Sequence, residues 1–348
     1  MTVTTVPAEY AAATERAIVL RRADRGVVRV FGRDPVKMVH GLVTNDVQSL
    51  TIGSARYAVM LTVKGRMLAD VRIVRRAADL LIEASVDALP HVQETLRKFV
   101  PPLFAKSEDV SATLAVVGIY GPTARDMLHS VLTDAAPGDA AESRDRAASD
   151  VIAQDLVEDD AVIARFANEA VHVIRTGETA VGGYDIIVPV VHADALVVAL
   201  DAAGALPASP DTVEVLRIEA GRPRWGAELG EDVIPIEAGL LDRAISTTKG
   251  CYTGQEVIVR ILHRGHVNRH LRGLFMGEAV PAVGTELFRE GDAKSMGRIT
   301  SACRSPRFNR AVALGYVRRE VEPGAVLRAG SPDGAAAEVT ELPFGPAD

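Results

Sequence analysis

The sequence predicts an α+β protein of two or three domains ending in a small all-β barrel or sandwich, and three observations lead there. Its 348 residues exceed the usual size of a single domain. Through the first two thirds, β-like runs and helical stretches alternate, but the runs pair as hairpins, which favours α+β over a doubly wound sheet. Downstream of about Arg272 the pattern changes to short β-like runs punctuated by residues such as Pro281, Gly284, Gly297, Gly315 and Pro323, the rhythm of a small all-β unit.

The elements follow in order. Val27 to Phe31 reads as a strand, and Gly32-Arg33-Asp34-Pro35 as a helix start with Asp34 as cap and Pro35 at the first helical position. Gly41 stops that helix early. Tyr57 to Thr62 and Met67 to Val74, split by Lys64-Gly65-Arg66, form a hairpin, and Leu80 to Ala84 a further strand. Leu89, Val92, Leu96 and Phe99 fall on one helical face that Pro101-Pro102 ends. After Ser107 the pattern restarts with strand Thr113 to Ile119 and a helix from Thr123 to about Leu132. Residues 133–160 read as a solvated connection with one helix at most. Ala161 to Phe166, Val171 to Arg175 and Tyr184 to Val188 are strands, and Asp194 to Ala203 a helix. Ala205 to Pro210 is a crossing between domains. Asp211 with Glu214 is a capping-box variant that starts a helix from Thr212 to Ala220, ended by Gly221.

Composition excludes several classes. A chain that is 48% hydrophobic and 24% charged is globular, and a net charge of −7 argues against general affinity for phosphate backbones. Two cysteines, Cys251 and Cys303, make neither a disulfide framework nor a CxxC pair and fit a reducing cytoplasm. With no basic segment ahead of an apolar one in Met1 to Arg22, and no apolar run of about 18 residues, neither export nor membrane insertion is expected. Walker A, G-x-G-x-x-G, H-E-x-x-H and G-x-S-x-G sequences are absent.

The densest chemistry lies in Lys249-Gly250-Cys251-Tyr252-Thr253-Gly254-Gln255-Glu256. A cation two residues from a thiol lowers its pKa, and glycines let the backbone approach a ligand. Cys251 is therefore a candidate reactive thiol, although a free cysteine also serves as a small buried hydrophobe. His263, His266 and His270 sit among Arg260, Arg264, Arg269 and Arg272, whose charge opposes a dication, so no metal is expected. The same basic run lacks the interleaved aromatics that stack on bases, so nucleic acid is not expected as a partner.

The Lys249–Glu256 run resembles the signature of the YgfZ-type folate-binding proteins, relatives of the aminomethyltransferase (T-protein) of the glycine cleavage system. Gly41-Leu42-Val43-Thr44-Asn45-Asp46-Val47, Lys64-Gly65-Arg66, Arg217-Ile218-Glu219-Ala220-Gly221, Ile234-Pro235-Ile236-Glu237-Ala238-Gly239-Leu240 and Gly297-Arg298-Ile299-Thr300-Ser301 resemble family segments in the same order. The resemblance implies three α+β and barrel domains of aminomethyltransferase-like architecture: 1–108 with 206–262, 109–205, and a C-terminal β-barrel over 263–348. It implies tetrahydrofolate bound in a central hole. Asp185 would pair with the pterin's N–H donors, and Arg217 would hold the folate tail. Tyr184, Trp225 and Tyr252 would line the pocket, with Gln255 beside them. Cys251, Lys249 and Asp70 would be the reacting set. Asp70 stands where the aminomethyltransferases carry paired acids, but its neighbour here is Ala69, so half of that pair is missing. The implied function is tetrahydrofolate binding in support of iron–sulfur cluster assembly or repair, with iron–sulfur client or carrier proteins as partners. The alternative is an aminomethyltransferase passing a one-carbon unit to tetrahydrofolate.

Overall fold

The computed structural model describes residues 7–134 and 156–346. Two antiparallel sheets lie face to face, and a closed barrel follows. The first sheet runs in the spatial order Ala55–Leu61, Met67–Arg75, Asp79–Ser85, Arg25–Gly32, Ala105–Asp109. The second has seven strands, with Gly183–Pro189 at its centre between Leu114–Tyr120 and Glu169–Thr176. Ile18–Arg21 adds to this second sheet beside Leu114–Tyr120 and pairs in parallel with Leu206–Pro207. Apart from that short pair the ladders are antiparallel, in line with the hairpin reading and the α+β class. The barrel closes when Ala335–Thr340 pairs back onto Arg269–Phe275.

Alternation along the strands decides what meets between the sheets. Val27, Ala55, Val74 and Leu81 of the first sheet pack on Val116, Ala161, Ile174 and Ile187 of the second. Two or more residues further along the same faces, the apolar side chains give way to Arg25, Asp70, Arg72 and Glu83 on one side and Tyr120 and Asp185 on the other. The opposite faces are apolar. Ala69, Val71 and Ile73 join the core under the helices Pro35–His40 and Leu89–Phe99, and Tyr184, Ile186 and Val188 join the core of the second sheet.

Helix ends depart from the sequence reading in instructive ways. The helix expected from Thr212 starts at Pro210 with Ser209 at its N-cap, and neither Ser209 nor Asp211 caps it by a side-chain bond. Instead the Ser209 and Thr212 hydroxyls both donate to Glu9, brought from the far N-terminus. Asp34 likewise occupies the N-cap of its helix without a side-chain cap bond. Phe99, placed with the apolar face of Leu89–Phe99, is 46% exposed because the helix ends there. The basic stretch from Arg260 to Arg272 lies on the helix Gln255–Arg264 and the barrel strand Arg269–Phe275 that follows it. The helix Pro7–Glu15 and the strand Ala105–Asp109 lacked a signal: the first is alanine-rich without periodicity, the second mostly charged because it is an edge strand. Most of the stretch 133–160, including the optional helix there, falls outside the described residues. Among the described residues no helix is long and apolar enough to cross a membrane.

Acidic residues and serines fasten the barrel to the body. Glu228 accepts hydrogen bonds from Thr300 Oγ1 at 2.8 Å and Ser301 Oγ at 2.6 Å, and Tyr316 donates to its carbonyl at 3.0 Å. Glu219 accepts from Tyr10 at 2.8 Å and from Ser305.

His172 lies between the sheets, buried, its Nδ1 without a partner among the described residues. Burial, with Arg76 nearby and partly opposed by Asp79, lowers its pKa from 6.5 to about 4. The folded chain therefore keeps the imidazole neutral while the unfolded chain protonates it, so stability is lost as pH falls from about 6.5 to about 4. We expect His172→Leu to flatten this acid limb, worth about 3 kcal/mol by linkage. Urea melts at pH 7 and pH 4.5 measure it; an unchanged difference between the two would assign acid sensitivity elsewhere.

Candidate functional site

The charged ends of the two sheets form one buried network. Arg72 reaches across from Met67–Arg75 to place Nη1 2.6 Å from Asp185 Oδ2, an ion pair off the ideal hydrogen-bond line. Its Nε donates to Glu83 at 2.6 Å, and Glu83 also takes Arg25. Tyr120 donates to Asp185 Oδ1 at 2.6 Å, and Arg22 donates to the Tyr120 hydroxyl at 2.5 Å and to both oxygens of Glu178 at 3.0 Å. Gly118 allows this arrangement, because a Cβ there would strike the Tyr120 hydroxyl. The two arginines hold Glu83 ionised: burial alone would raise its carboxyl, but Arg25 and Arg72 bring it down to about 2.

Beside this network lies a hollow of about 30 Å³, lined by Tyr57, Asp70, Arg72, Thr176, Glu178 and Arg243 among others. Asp70 is 6% exposed; Tyr57 donates to its Oδ2 at 3.1 Å, and its Oδ1 has no partner among the described residues. Burial pushes the Asp70 carboxyl above the usual range, against the pull of Arg25 and the Tyr57 hydroxyl. The Tyr57 ring is held by the Arg243 guanidinium 4.1 Å above it, and Arg243 is fixed by Asp159 at 2.6 and 2.8 Å. Glu178 and Arg224 also border a hollow of about 700 Å³ between the Leu20–Asp24 segment, the helix Pro210–Glu219 and Arg298–Ala302 of the barrel. A cavity of this size where three parts of the fold meet is the expected form of a small-molecule site.

The residues singled out in the sequence are distributed as follows. Asp70 borders the small hollow and Arg217 the large one. Arg217 directs all its donors inward: Nε and Nη2 to Glu214, Nη1 to Glu228 and the Arg222 carbonyl, Nη2 also to Ser301. It joins helix, loop and barrel, with no N–H left over. Asp185 is fully buried, its carboxylate engaged by Arg72 and Tyr120, and it lines neither hollow. Tyr184, next along the strand, faces the opposite core. Trp225 lies in the first core with its ring edge-on to His91 at 5.9 Å.

Cys251 is exposed, on a loop that lines neither hollow. Lys249 anchors that loop: its ammonium donates to the carbonyls of His40 at 2.6 Å, Val43 at 2.7 Å and Asn45 at 3.0 Å, closing the end of the Pro35–His40 helix. Burial draws the Lys249 pKa down to about 8. Tyr252 is buried beneath the Lys249 ammonium, 5.2 Å from it, and Gln255 opens the Gln255–Arg264 helix. Gly254 is required there, with φ +83° and a Cβ position 2.5 Å from the Thr62 carbonyl. No three His, Cys, Asp or Glu side chains among the described residues are gathered as a metal set.

Tyr57, Arg72, Glu178 and Arg243 were not singled out by sequence. Arg72 had a signal, since two residues beyond Asp70 on a strand it must share a face with it. The others converge from distant segments.

The two thiols differ enough to test the loop. Cys303 is buried and its pKa is raised strongly by burial, so a native chain should give one Ellman-reactive thiol, and a second only on unfolding. Two fast thiols would contradict the packing of the barrel strand Ser295–Ser305. Lys249→Met should cost about 2 kcal/mol in urea unfolding, since three carbonyls lose an ionic donor; a stability equal to that of the parent would show the anchor to be dispensable.

Comparison with known proteins places these features in a lineage. Residues 2–249 match the family described as the GCVT N-terminal domain, and residues 269–345 the glycine cleavage T-protein C-terminal barrel domain. The aminomethyltransferase of Bacillus subtilis is 30% identical over 313 residues, covering 87% of this chain and 80% of that one. An aminomethyltransferase of Thermus thermophilus is 27% identical over 329 residues, covering 91% and 86%. The crystal structure of glycine cleavage system aminomethyltransferase T from Bartonella henselae superposes with a TM-score of 0.80 at 22% identity, over 98% of this chain and 91% of that one. Two sheets enclosing a polar centre, a closed barrel beside them and a sequence match along nearly the whole chain lead to one conclusion: the chain belongs to the glycine cleavage T-protein family.

Proposed function

We propose that this protein takes tetrahydrofolate into the large hollow and moves a one-carbon unit onto it from an aminomethyl thioether, in the manner of an aminomethyltransferase: two folate N–H bonds are replaced by bonds to the methylene carbon, the C–S and C–N bonds of the donor break, and the two protons leave with the freed thiol and ammonia, Asp70 serving as the carboxyl that relays a proton. The observation that carries this reading is Asp70 itself: a buried carboxyl beside a hollow, with one oxygen held by Tyr57 and the other without a partner among the described residues. A carboxyl whose pKa is raised by burial is a better proton acceptor than a solvated one, which suits removal of a proton from a reacting nitrogen. Tyr57, clamped by Arg243, fixes the direction of the carboxyl, and Glu178, paired through both oxygens with Arg22, borders both hollows. The names of the relatives from Bacillus subtilis and Thermus thermophilus agree with this chemistry.

The missing second acid does not count against it. Ala69 points to the other face of the strand, into the apolar core, so an acid at that position would not border the hollow from this backbone.

The YgfZ-type reading, with a role beside iron–sulfur proteins, rests on a different observation, the exposed thiol of Cys251 on its anchored loop. Two cysteines fall short of the four thiolates that usually hold a cluster, so a cluster would be passed on rather than retained. Under that reading Cys251→Ser folds normally yet fails to complement a deletion strain, and full complementation would remove it.

The main reading is tested by incubating the protein with tetrahydrofolate and an aminomethylated lipoyl carrier and following methylene-tetrahydrofolate. We expect turnover, and a fall of about 10²–10⁴ in rate for Asp70→Asn. Because the folded chain favours the protonated carboxyl, ionising Asp70 costs stability as pH rises, so Asp70→Asn should raise the melting temperature more at pH 8 than at pH 4. Absence of turnover by the parent protein, with both substrates shown to be intact, would rule the proposal out.

A further inference from the structure

The five-stranded sheet ends at Ala105–Asp109, which pairs with Arg25–Gly32 on one side and with no strand on the other among the described residues. Val110 N–H donates inward to the Val27 carbonyl, and the Phe104 carbonyl accepts from Asp34 N–H, each at 2.9 Å. Backbone groups of an antiparallel strand turn alternately to its two sides, so those of Ser107 and Asp109 face the open edge. Lys106, Ser107, Glu108 and Asp109 are all exposed. An edge strand with charges of one sign repels a second copy of itself. Here Lys106 and Glu108, of opposite sign, lie symmetrically about Ser107. On the Ala105 face of the strand runs a groove of about 510 Å³, lined by Val30, Leu96, Val100 and Ala105 among others. Phe99 and Leu103, next in sequence to residues of that groove, are 46% and 76% exposed.

We propose that this edge docks a second copy of the chain, strand to strand and antiparallel, about a two-fold axis at Ser107. Ser107 then exchanges both backbone bonds with its counterpart, and Asp109 N–H donates to the Ala105 carbonyl of the other copy. Lys106 lies opposite Glu108 of the other copy, and Glu108 opposite its Lys106. A shift of two residues either way, the smallest that the outward-facing amides allow, sets Glu108 against Glu108 or Lys106 against Lys106. The charges therefore select one register. The two sheets continue as one of ten strands, with both Leu89–Phe99 helices on the same face and the two grooves, with Phe99 and Leu103, between them. Such an isologous contact closes on itself and gives a dimer rather than a filament. Two strands separate this edge from Met67–Arg75, so the pairing leaves the hollow beside Asp70 unobstructed and does not depend on what that hollow binds.

Sedimentation velocity of the full chain over a concentration series, at low ionic strength where surface charges are least screened, should show a dimer. Ser107→Pro removes an outward amide at a place where an edge strand tolerates proline, and should sediment as a monomer with unchanged circular dichroism. Lys106→Glu and Glu108→Lys should each be monomeric alone, because each sets like charges opposite one another across the axis. An equal mixture of the two should dimerise, since every such pair then has opposite signs. A parent chain that stays monomeric at every concentration would overturn the proposal. A dimer that both charge variants retain would overturn it too, by placing the contact elsewhere on the surface. Failure of the mixture to associate would overturn the register about Ser107.

Discussion

The ion pair between Arg72 and Asp185 is the contact on which the rest of the architecture turns. It spans the gap between the two sheets, where neither partner can reach bulk water. A buried charge is tolerable only when it is paired and hydrogen-bonded, and each member here recruits a further one: Glu83 for Arg72, Arg25 for Glu83, Tyr120 for Asp185, Arg22 for Tyr120. Removing one partner from such a set strands the others, so the network holds as a unit. Its energetic contribution need not be large. Its consequence is positional, because it fixes the distance and register of two sheets whose apolar contact is confined to one end.

The hollow follows from that division. Where valine, leucine and isoleucine meet, the sheets close; where guanidinium and carboxylate groups meet, pairing geometry rather than close packing sets the spacing, and space remains. Asp70 and Arg72, each with one polar atom left out of the pairing among the described residues, border the space left over. The larger hollow has a similar origin. Arg217, Glu228 and Ser301 tie helix to barrel through a few short polar contacts, and the interval between those contacts and the Leu20–Asp24 segment stays open.

The family resemblance named Asp70, and in the structure Asp70 borders the small hollow. Other residues were harder. Asp185 was expected to face a ligand because it is a carboxylate in a family-like segment, yet its acceptors are taken by residues from other strands. Arg217 was expected at a folate tail, yet Glu214, three residues away on its own helix, already takes two of its donors. Lys249 and Cys251, close in sequence and joined in one chemical hypothesis, are separated in role: the cation is spent on three carbonyls of another segment while the thiol faces solvent.

From its residue order alone this chain determined most of its strands and helices, the antiparallel character of its sheets and the change to a small all-β unit after about Arg272, since periodicity, glycine and proline act within a few residues of themselves. Only the tertiary structure decided which carboxylates are free and which are consumed, which face of the Met67–Arg75 strand meets the core and which the hollow, and that Tyr57, Glu178 and Arg243 gather around one small space. The reason is physical: a side chain's propensity is local, but the availability of its lone pairs and protons depends on what distant segments bring within about 3 Å of it, and that is settled only when the sheets meet.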